Sequence, residues 1–378
     1  MKFKLFIFIF LIPFMLYAQG SILLMGGGSD TKRWAYDVFE WFVQQADSGV
    51  IINIDVDPVA ESYASTFIRW GADSSSHSLR IPNTSVANDS ATYRDLISAK
   101  GIFIEGGNQW DYVYVWKGTL VEDALHYVYK NGGVIGGTSA GCAIMGEVVY
   151  DARYQSAQPN SVSKNPYDRD VQYTDDFLDV LPNVFTDSHF HPRARLGRLV
   201  PMIARRIQDY GDTDLMAIGV DENSALCINP DKSAICFGEG CVTIFHQTGQ
   251  SEILCEQHKA PTFTHIKYHQ LIHGAVFDVA TRELIDPGPN MQEVDISPEQ
   301  PVFTPAELVG SDENTANYGE VVITNLTSSA TNAWYGRLEQ TAGDSTVPNS
   351  VVMPNVWKNS DYSENRLIGG MFGAASHP

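Results

Sequence analysis

The sequence predicts an α/β protein whose centre is a doubly wound, mostly parallel β-sheet. Between residues 21 and 149, short apolar runs alternate with longer amphipathic segments, which is the pattern of strands joined by crossover helices. Several of the runs end in glycine, as strands often do at the ligand-binding edge of such a sheet. A length of 378 residues with 44% apolar and 19% charged residues suits one large domain with an appendage, or two ordinary domains.

Four apolar runs are the predicted strands: ILLM (22–25), VIINIDV (50–56), IFIE (102–105) and VIGG (134–137). Because each run is short, apolar and bounded by helix-like sequence, we expect both of its faces to be buried. A helix-like segment, AGCAIMGE, follows the fourth strand at 140–147. Farther along, the sequence predicts a helix at 193–209, a strand at 217–222 and several hairpin strands through about residue 280.

Two segments depart from this pattern. The polar stretch 150–170 is typical of a surface insertion or flap. From about residue 286 the chain is rich in proline and acidic residues, which indicates a linker, and it then carries the strand-like runs VVITNL and SVVM. We therefore predict a main domain at 19–285 and, at 286–378, a linker with a β-rich C-terminal extension. That extension is either a small appendage or a wrap-around tail.

The first 18 residues have the layout of a cleavable secretory signal. Lys2 and Lys4 precede an apolar run at 5–17, which the small residue Ala18 closes. An uncleaved anchor is the alternative, but the run is short for a membrane span and Pro13 interrupts it. We therefore expect an exported mature protein, secreted or periplasmic, that has no membrane as partner.

The mature chain is strongly acidic. Loss of Lys2 and Lys4 with the signal takes the formal net charge from −20 to −22. Charge of this sign argues against nucleic acid or an anionic membrane as a partner. It favours the attraction of cationic substrates.

Five cysteines are present, and four of them lie within 29 residues: Cys227, Cys236, Cys241 and Cys255. In an oxidising compartment these four allow two disulfides, and buried free thiols are the alternative. Their spacing is not that of a zinc site. The glycines of GGGSDT (26–31) also lack the spacing of a dinucleotide-binding loop, so we expect neither a metal nor a cofactor.

The sequence GGTSAG at 136–141 is typical of a strand-to-helix elbow that presents a nucleophile. Ser139 lies between a predicted strand and a predicted helix, and its neighbours Gly137, Ala140 and Gly141 are small enough for a crowded turn. The helix would direct amide N–H groups at the reacting centre. A serine that merely caps the helix gives the same letters, so the pattern alone supports both interpretations.

A serine nucleophile needs a base and an acid that orients it. The run DSHFHPRARLGRL at 187–199 offers His189 and His191 where a strand is expected to end. The run AIGVDENSA offers Asp221 and Glu222 at a later strand end. Solvated loop histidines and DEN turns are common, so each group alone is weak evidence, but their order along the chain suits a triad.

Three arginines follow His189. Arg195 and Arg198 are one helical turn apart, and Arg193 precedes them at the start of the predicted helix. Guanidinium groups bind carboxylates in bidentate geometry, so the cluster indicates an acidic substrate. A solvated helix face, or pairing with some of the chain's own acids, is the alternative.

Five segments resemble the peptidase S51 family, and within it the cyanophycinases more than the aspartyl dipeptidases: GGGS (26–29), FIEGGNQ (103–109), NGGVIGGTSAGCAIMGE (131–147), DSHFHPRARLGRL (187–199) and AIGVDENSAL (217–226). They span about 200 residues in the family's order, and the run at 187–199 is the most specific of them. The resemblance implies a flavodoxin-like sandwich with Ser139 as nucleophile, His189 as base and Glu222 as the orienting acid. It assigns the oxyanion hole to the backbone N–H groups of Gly107 and Ala140. It also implies a pocket for aspartyl groups that is shaped by Gln109, Asp187, Arg193, Arg195 and Arg198.

The resemblance further implies the reaction. It indicates an exported serine hydrolase that cleaves cyanophycin, a polyaspartate with arginine on each side-chain carboxyl, to β-aspartyl-arginine through an acyl-enzyme on Ser139. A secreted peptidase acting on other aspartyl peptides is one alternative, and an inactive carboxylate-binding homologue is another. A glutamine amidotransferase of similar architecture would need cysteine at the elbow. We consider a homodimer as the assembly, with residues 19–285 as the catalytic domain.

Overall fold

The computed structural model describes residues 19–263 and 266–288, together with four short strands farther along the chain. The predicted signal at 1–18 lies outside the described residues, and so do the strand-like runs VVITNL and SVVM. The predicted boundary between the main domain and its extension stays a prediction. Within the described part of the chain, no helix combines the length and the apolar character that crossing a membrane requires.

Five parallel strands form one side of the first sheet: β1 (Ser21–Met25), β2 (Ile51–Asp55), β3 (His77–Arg80), β4 (Gly101–Ile104) and β5 (Val134–Thr138). They lie side by side in the order β3-β2-β4-β5-β1. Four of them confirm the predicted apolar strands. The fifth, β3, was not predicted, because its sequence HSLR is half-exposed at the end of the sheet and has no apolar run.

Helices cover both faces of these parallel strands, as a doubly wound fold requires: α1 (Trp34–Gln45), α2 (Glu61–Arg69), α3 (Thr84–Ala87), α4 (Ser90–Ser98), α5 (Gln109–Trp116) and α6 (Leu120–Lys130). The first two pack on one face around Phe42, Phe67 and Phe103. The other four pack on the opposite face, where Trp116 and Leu125 are buried. The predicted α/β, mostly parallel architecture is therefore confirmed.

The structure holds a second sheet, which the sequence did not predict: β6 (Gly146–Tyr150), β7 (Tyr173–Thr174), β8 (Leu181–Asp187), β9 (Met216–Val220), β12 (Val242–Gln247) and β15 (Ile266–Leu271). Strands β6, β8 and β9 are parallel to one another. Ile218 and Val220 of this sheet share one core with Ile22 and Leu24 of the first. The outer face is covered by α8 (Pro159–Val162) and α9 (Leu196–Tyr210).

Antiparallel strands complete the first sheet beyond β1: β10 (Ser224–Ile228), β11 (Ser233–Gly238), β16 (Val276–Asp278) and β17 (Glu283–Asp286). Three two-stranded pairs remain, formed by β13 (Ile253–Leu254) with β14 (Thr262–Phe263), β18 (Met291–Asp295) with β21 (Asn332–Gly336), and β19 (Gly310–Asp312) with β20 (Thr315–Tyr318). The last two pairs lie in the predicted β-rich extension.

The predicted helix at 140–147 is confirmed only for its first turn and is wrong for the rest. A single turn, α7 (Ala140–Ala143), follows the elbow, and the chain then crosses into β6 of the second sheet. A Cβ atom on Gly146 would lie 2.3 Å from the carbonyl oxygen of Val184, so glycine lets β6 approach β8 closely. Pairing with β8 therefore overrides the local helical pattern.

The stretch 150–170 is not an exposed flap. It packs onto the outer face of the second sheet, where Ala157 and Val162 are buried against residues of α9. Helix α9 itself begins at Leu196, three residues later than predicted, so Arg193 and Arg195 precede it.

All five cysteines are free and buried, so the hypothesis of two disulfides is wrong and the alternative of free thiols holds. Burial raises the pKa of these thiols, in Cys255 to about 11. The thiols therefore pack as small apolar groups.

Candidate active site

Ser139 lies on a sharp turn between β5 and α7, as predicted. Its backbone has φ +53° and ψ −112°, a strained conformation for a residue with a side chain. The N–H of Ser139 donates to the carbonyl oxygen of Met25 (3.0 Å), and that of Gly141 donates to the carbonyl oxygen of Glu105 (3.1 Å). The side chain makes no helix-capping hydrogen bond, so the alternative of a simple N-cap does not describe this serine.

The turn requires glycine at two neighbouring positions. A Cβ atom on Gly137 would lie 2.6 Å from the backbone of Gly141, and one on Gly141 would lie 2.3 Å from the carbonyl oxygen of Ile104. Real Cβ atoms essentially never lie this close to a non-bonded atom. The glycines thus let the chain turn tightly enough to present Ser139 at the carboxyl edge of the sheet.

Three side chains form a continuous line of hydrogen bonds at this edge. The Oγ atom of Ser139 lies 2.6 Å from Nε2 of His189, and Nδ1 of His189 lies 2.6 Å from Oε1 of Glu222. With the ring proton on Nδ1, the histidine donates to the glutamate and accepts from the serine hydroxyl. This is the hydrogen-bonding geometry of a serine–histidine–acid triad.

The glycine loop after β1 seats the histidine ring. The N–H of His189 donates to the carbonyl oxygen of Gly26 at 2.8 Å. Gly27, at φ +96°, faces the ring so closely that a Cβ atom there would lie 2.3 Å from Cε1 of His189. The sequence predicted only that this loop lies at the ligand-binding edge of the sheet. It did not predict the contact between the loop and His189.

The environment of His189 keeps its imidazole neutral at rest. Burial lowers the pKa of His189, and the positive charges of Arg193 and Arg195 lower it further, while the hydrogen bond to Glu222 opposes them. The net shift is downward. A neutral imidazole is the form that accepts a proton from serine.

The structure distinguishes the two neighbouring acids. Asp221 is buried and accepts hydrogen bonds from the N–H groups of His191 (2.8 Å) and Cys241 (3.0 Å), so it holds two loops together. Burial raises the pKa of Asp221. Glu222 is the acid that reaches His189, and the backbone N–H of His191 is one of the donors to Asp221.

The two predicted oxyanion donors flank the elbow. Ala140 follows the nucleophile directly, and Gly107 is in the loop after β4, where a Cβ atom on the preceding Gly106 would lie 3.0 Å from Cβ of Ser139. Within residues 19–263 and 266–288, neither N–H of this pair donates a hydrogen bond to another residue. Both N–H groups are therefore available to an oxygen of a substrate.

Asp187 binds two arginines in the interior next to the triad. It accepts hydrogen bonds from Nη1 of Arg195 (3.1 Å) and from Nε and Nη2 of Arg198 (2.9 and 2.7 Å). Burial alone would raise the pKa of Asp187, but the charges of Arg198 and Arg195 outweigh it and lower that pKa. Asp187 therefore joins both guanidinium groups in one buried ion-pair cluster.

The pairing with Asp187 holds Arg198 in the interior. Its side chain is 1% exposed, and Nη1 donates to Oγ of Ser156 (3.1 Å) and to the carbonyl oxygen of Ala157 (3.2 Å). Its guanidinium also lies over the ring of Tyr150. Arg198 therefore packs behind the site, and its predicted role in shaping the substrate pocket stays a prediction.

Arg193 and Gln109 are the more accessible members of the predicted pocket. The Arg193 side chain is 29% exposed, and its Nε lies 4.0 Å from Oε1 of Glu222. Gln109 opens α5, and its Nε2 donates to the carbonyl oxygen of Tyr150 at the end of β6 (2.8 Å). Among the described residues, no group of three or more His, Cys, Asp or Glu side chains is placed to hold a metal ion.

A triad on the elbow of an α/β sheet, with unengaged N–H groups beside it, defines a serine-type hydrolase. Comparison with known proteins gives the family. The model of peptidase family S51 matches residues 22–236, which is more than half of the chain. The chain belongs to this family, and it is a serine-type peptidase.

Among curated proteins, the chain is similar to the cyanophycinase of Synechococcus elongatus, with 28% identity over 234 residues that cover 60% of this chain and 68% of that one. It is also similar to the cyanophycinase of Trichormus variabilis, with 25% identity over 279 residues that cover 71% of this chain and 89% of that one. Among solved structures, a peptidase from an acI-B1 Actinobacterium aligns with a TM-score of 0.47 and 16% identity, covering 69% of this chain and 98% of that one.

Proposed function

We propose that this peptidase is exported and cleaves cyanophycin to β-aspartyl-arginine dipeptides through an acyl-enzyme on Ser139. The observation that carries the proposal is the hydrogen-bonded line from Ser139 through His189 to Glu222, beside a buried cluster in which Asp187 binds Arg195 and Arg198. The triad supplies the chemistry, and the arginines beside it are of the residue type that binds carboxylates. The names of the similar curated proteins support the choice of substrate.

In the first half of the reaction, Oγ of Ser139 attacks the backbone carbonyl carbon of an aspartyl residue while its proton passes to Nε2 of His189. Glu222 accepts the hydrogen bond from Nδ1 and stabilises the imidazolium that forms. The N–H groups of Gly107 and Ala140 donate to the carbonyl oxygen as it becomes negative. The strained turn at Ser139 holds Oγ in place during this step.

In the second half, His189 gives its proton to the leaving amine, and the backbone C–N bond breaks. The aspartyl group stays on Ser139 as an ester. A water molecule then attacks this ester, with His189 taking the water's proton and returning it to Ser139. The released product carries its arginine still joined to the aspartyl side chain.

The arginines beside the triad orient the substrate. Cyanophycin presents a carboxylate on every attached arginine, and Arg193 is the arginine with the largest exposed fraction near the triad. Arg195 and Arg198 are held in a buried ion-pair cluster by Asp187. We propose that Arg193 contacts the substrate carboxylate and that Arg195 and Arg198 stabilise the structure behind it.

Export suits this substrate, because an insoluble polymer outside the cell has to be cut before uptake. The proposal of export rests on the layout of residues 1–18, with two lysines before a short apolar run. Edman sequencing of the protein from the medium, the periplasm and the membranes of an expressing bacterium tests it. An N-terminus at Gln19 outside the membrane fraction is expected, and an intact Met1 on protein that stays in the cytoplasm contradicts export.

The activity is tested by incubating purified protein with insoluble cyanophycin and measuring β-aspartyl-arginine by mass spectrometry. The unmodified protein is expected to release the dipeptide, and the Ser139→Ala variant is not. Release by neither protein, with cleavage of simple α- or β-aspartyl peptides, indicates a peptidase for other aspartyl substrates. Cleavage of none of them indicates an inactive carboxylate-binding homologue.

A further inference from the structure

The loop between β4 and α5 carries one of the two proposed oxyanion donors, the N–H of Gly107. Glu105 is the first residue of this loop, and α5 begins at Gln109. The N–H of Gly107 can stabilise negative charge only if the loop holds it within about 3 Å of the oxygen that becomes an oxyanion. The groups that fix this loop therefore bear directly on the rate of the reaction.

The backbone carbonyl of Glu105 is held from two sides. Its oxygen accepts a hydrogen bond from the N–H of Gly141 in the elbow (3.1 Å) and another from the hydroxyl of Tyr112 in α5 (3.0 Å). A carbonyl oxygen has two lone pairs, so both bonds form at once. The first bond ties the loop to the turn that presents Ser139, and the second ties it to the helix that follows.

The side chain of Glu105 fixes the same end of the loop. Its Oε1 accepts hydrogen bonds from the N–H of Ala60 (2.7 Å) and from Nδ2 of Asn53 in β2. The next two residues of the loop, Gly106 and Gly107, are glycines and have no side chain that could hold them. The position of the Gly107 N–H therefore depends on contacts made by its neighbours.

The hydroxyl of Tyr112 lies directly against Gly107 as well. A Cβ atom on Gly107 would lie 3.2 Å from this hydroxyl oxygen, which is tighter than ordinary contact. The same Cβ atom would lie 3.9 Å from the ring carbon that bears the hydroxyl, which is an ordinary distance. One hydroxyl thus bonds the carbonyl at the start of the loop and packs against the residue that carries the donor.

The ring of Tyr112 is a fixed support for this hydroxyl. It is 1% exposed and stacks on the ring of Trp116, one turn later in α5, with the ring centroids 4.8 Å apart. The indole N–H of Trp116 donates in turn to the carbonyl oxygen of Ile81 (3.2 Å). Burial, with the negative charge of Asp55, raises the pKa of Tyr112. The hydroxyl therefore keeps its proton and remains a donor at neutral pH.

We propose that Tyr112 is a positioning residue for the oxyanion hole and acts through Glu105 and Gly107. Its hydroxyl fixes the peptide groups that lead to the Gly107 N–H, so this donor is already aimed when Oγ of Ser139 attacks. The inference rests on the proposed function for the role of the Gly107 N–H, but it does not depend on which acyl substrate Ser139 attacks. The role is indirect, because the hydroxyl bonds a backbone carbonyl and not the reacting atoms.

The test uses Tyr112→Phe, which removes the hydroxyl and keeps the ring that stacks on Trp116. The probe is a fluorophosphonate, whose phosphoryl oxygen takes the place of the oxyanion as the reagent bonds to Ser139. We expect the maximal rate of modification to fall about tenfold, which is less than the hundredfold or more that loss of a whole oxyanion donor costs. The pH midpoint of the rate is expected to stay unchanged, because His189 and Glu222 are intact.

Tyr173→Phe is the matched control. The hydroxyl of Tyr173 also donates to a backbone carbonyl, that of Met202 in α9 (3.2 Å), on the outer face of the second sheet. Both variants should lower the urea midpoint of unfolding similarly, but Tyr173→Phe is expected to keep the rate of modification. A rate that is unchanged in Tyr112→Phe, or that falls equally in both variants, overturns the proposal. A shifted pH midpoint in Tyr112→Phe also contradicts it, because the base is then displaced.

The contact between Tyr112 and Gly107 gives a second measurement. The methyl group of Gly107→Ala would lie 3.2 Å from the hydroxyl, so the loop has to shift, and we expect modification of Ser139 to slow about tenfold. In the double variant with Tyr112→Phe the nearest ring atom is 3.9 Å away, so the double variant should be no slower than Tyr112→Phe alone. Losses that multiply contradict the proposal. If Tyr112→Phe does not fold, as circular dichroism would show, an unchanged rate in Gly107→Ala overturns it.

Failure of this inference is distinguishable from failure of the proposed function. If the reagent leaves Ser139 unmodified in the unaltered protein, the triad assignment fails and this inference falls with it. Rapid modification that Tyr112→Phe does not slow overturns the inference alone, whether or not cyanophycin is cleaved. With any soluble aspartyl peptide that the protein cleaves, Tyr112→Phe should lower kcat about tenfold at an unchanged KM, since the oxyanion forms only in the transition state. A raised KM with an unchanged kcat contradicts the proposal.

Discussion

The contact between Gly27 and His189 gives a sharp prediction for Gly27→Ala. The added Cβ atom would lie 2.3 Å from Cε1 of His189, whereas ordinary contact begins at 3.4 Å. The ring therefore has to move by about 1 Å, and the hydrogen bond of 2.6 Å from Ser139 to Nε2 is stretched beyond its useful range. A displacement of this size in a catalytic group lowers the rate by about a hundredfold.

The assay for Gly27→Ala measures kcat and KM for a soluble aspartyl substrate, together with the free energy of unfolding in urea. We expect kcat to fall about a hundredfold, with stability lowered by about 1 kcal/mol because alanine is strained at φ +96°. Gly71→Ala is the matched control, since Gly71 has φ +103° and nothing within 4 Å of the new Cβ atom. Its strain is similar and its kcat is expected to stay unchanged. An unaltered kcat in Gly27→Ala, or an equal loss of kcat in Gly27→Ala and Gly71→Ala, would refute the claim that this loop positions the ring of His189.

Four further predictions, on three variants, concern the triad and the arginines. Glu222→Gln weakens the hydrogen bond that raises the pKa of His189. We therefore expect the acidic limb of the kcat/KM profile to move to lower pH and the maximal rate to fall about a hundredfold or more. A limb that moves to higher pH contradicts this account. Asp187→Asn removes the carboxylate that binds the buried guanidinium groups of Arg195 and Arg198. The free energy of unfolding, measured in urea at neutral pH, should fall by about 3–5 kcal/mol. A loss under about 1 kcal/mol would show that these ion pairs are unimportant for stability. The pKa of Asp187 is lower in the folded protein than in the unfolded chain. Its ionised form therefore stabilises the fold above the unfolded pKa, and this contribution is lost as the pH falls through the folded pKa. In Asp187→Asn the free energy of unfolding should accordingly depend less on pH on the acid side. Arg193→Lys keeps the charge but loses the bidentate fork, so KM should rise about tenfold with little change in kcat; an unchanged KM argues against direct carboxylate binding by Arg193.

The parallel half of the first sheet was predictable because its strands are buried on both faces. Each of β1, β2, β4 and β5 is therefore a short, nearly continuous apolar run. Strand β3 lacks this signal, because it ends the sheet and its residues are mostly half-exposed. Which sheet a strand joins depends on contacts distant in sequence, so the division into two sheets had no local signal.

The site was predictable where the chemistry is local and not where it depends on pairing across the fold. Ser139, His189 and Glu222 follow three strand ends, and their order along the chain suggested the triad that the structure brings together. The partner of Arg198 could not be predicted, since any of many acids might have neutralised it. The contact between Asn53 and Glu105 joins positions 52 residues apart, so the local sequence around either residue does not predict it.

The reactivity of Ser139 tests the central claim most directly. The protein is treated with a fluorophosphonate reagent, which modifies activated serines, and the modified residue is located by peptide mapping with mass spectrometry. We predict rapid modification at Ser139 alone, slowed about a hundredfold or more in His189→Ala because the base is gone. Equal modification of Ser139 in both proteins, or modification of a different serine, would contradict the assignment of the triad.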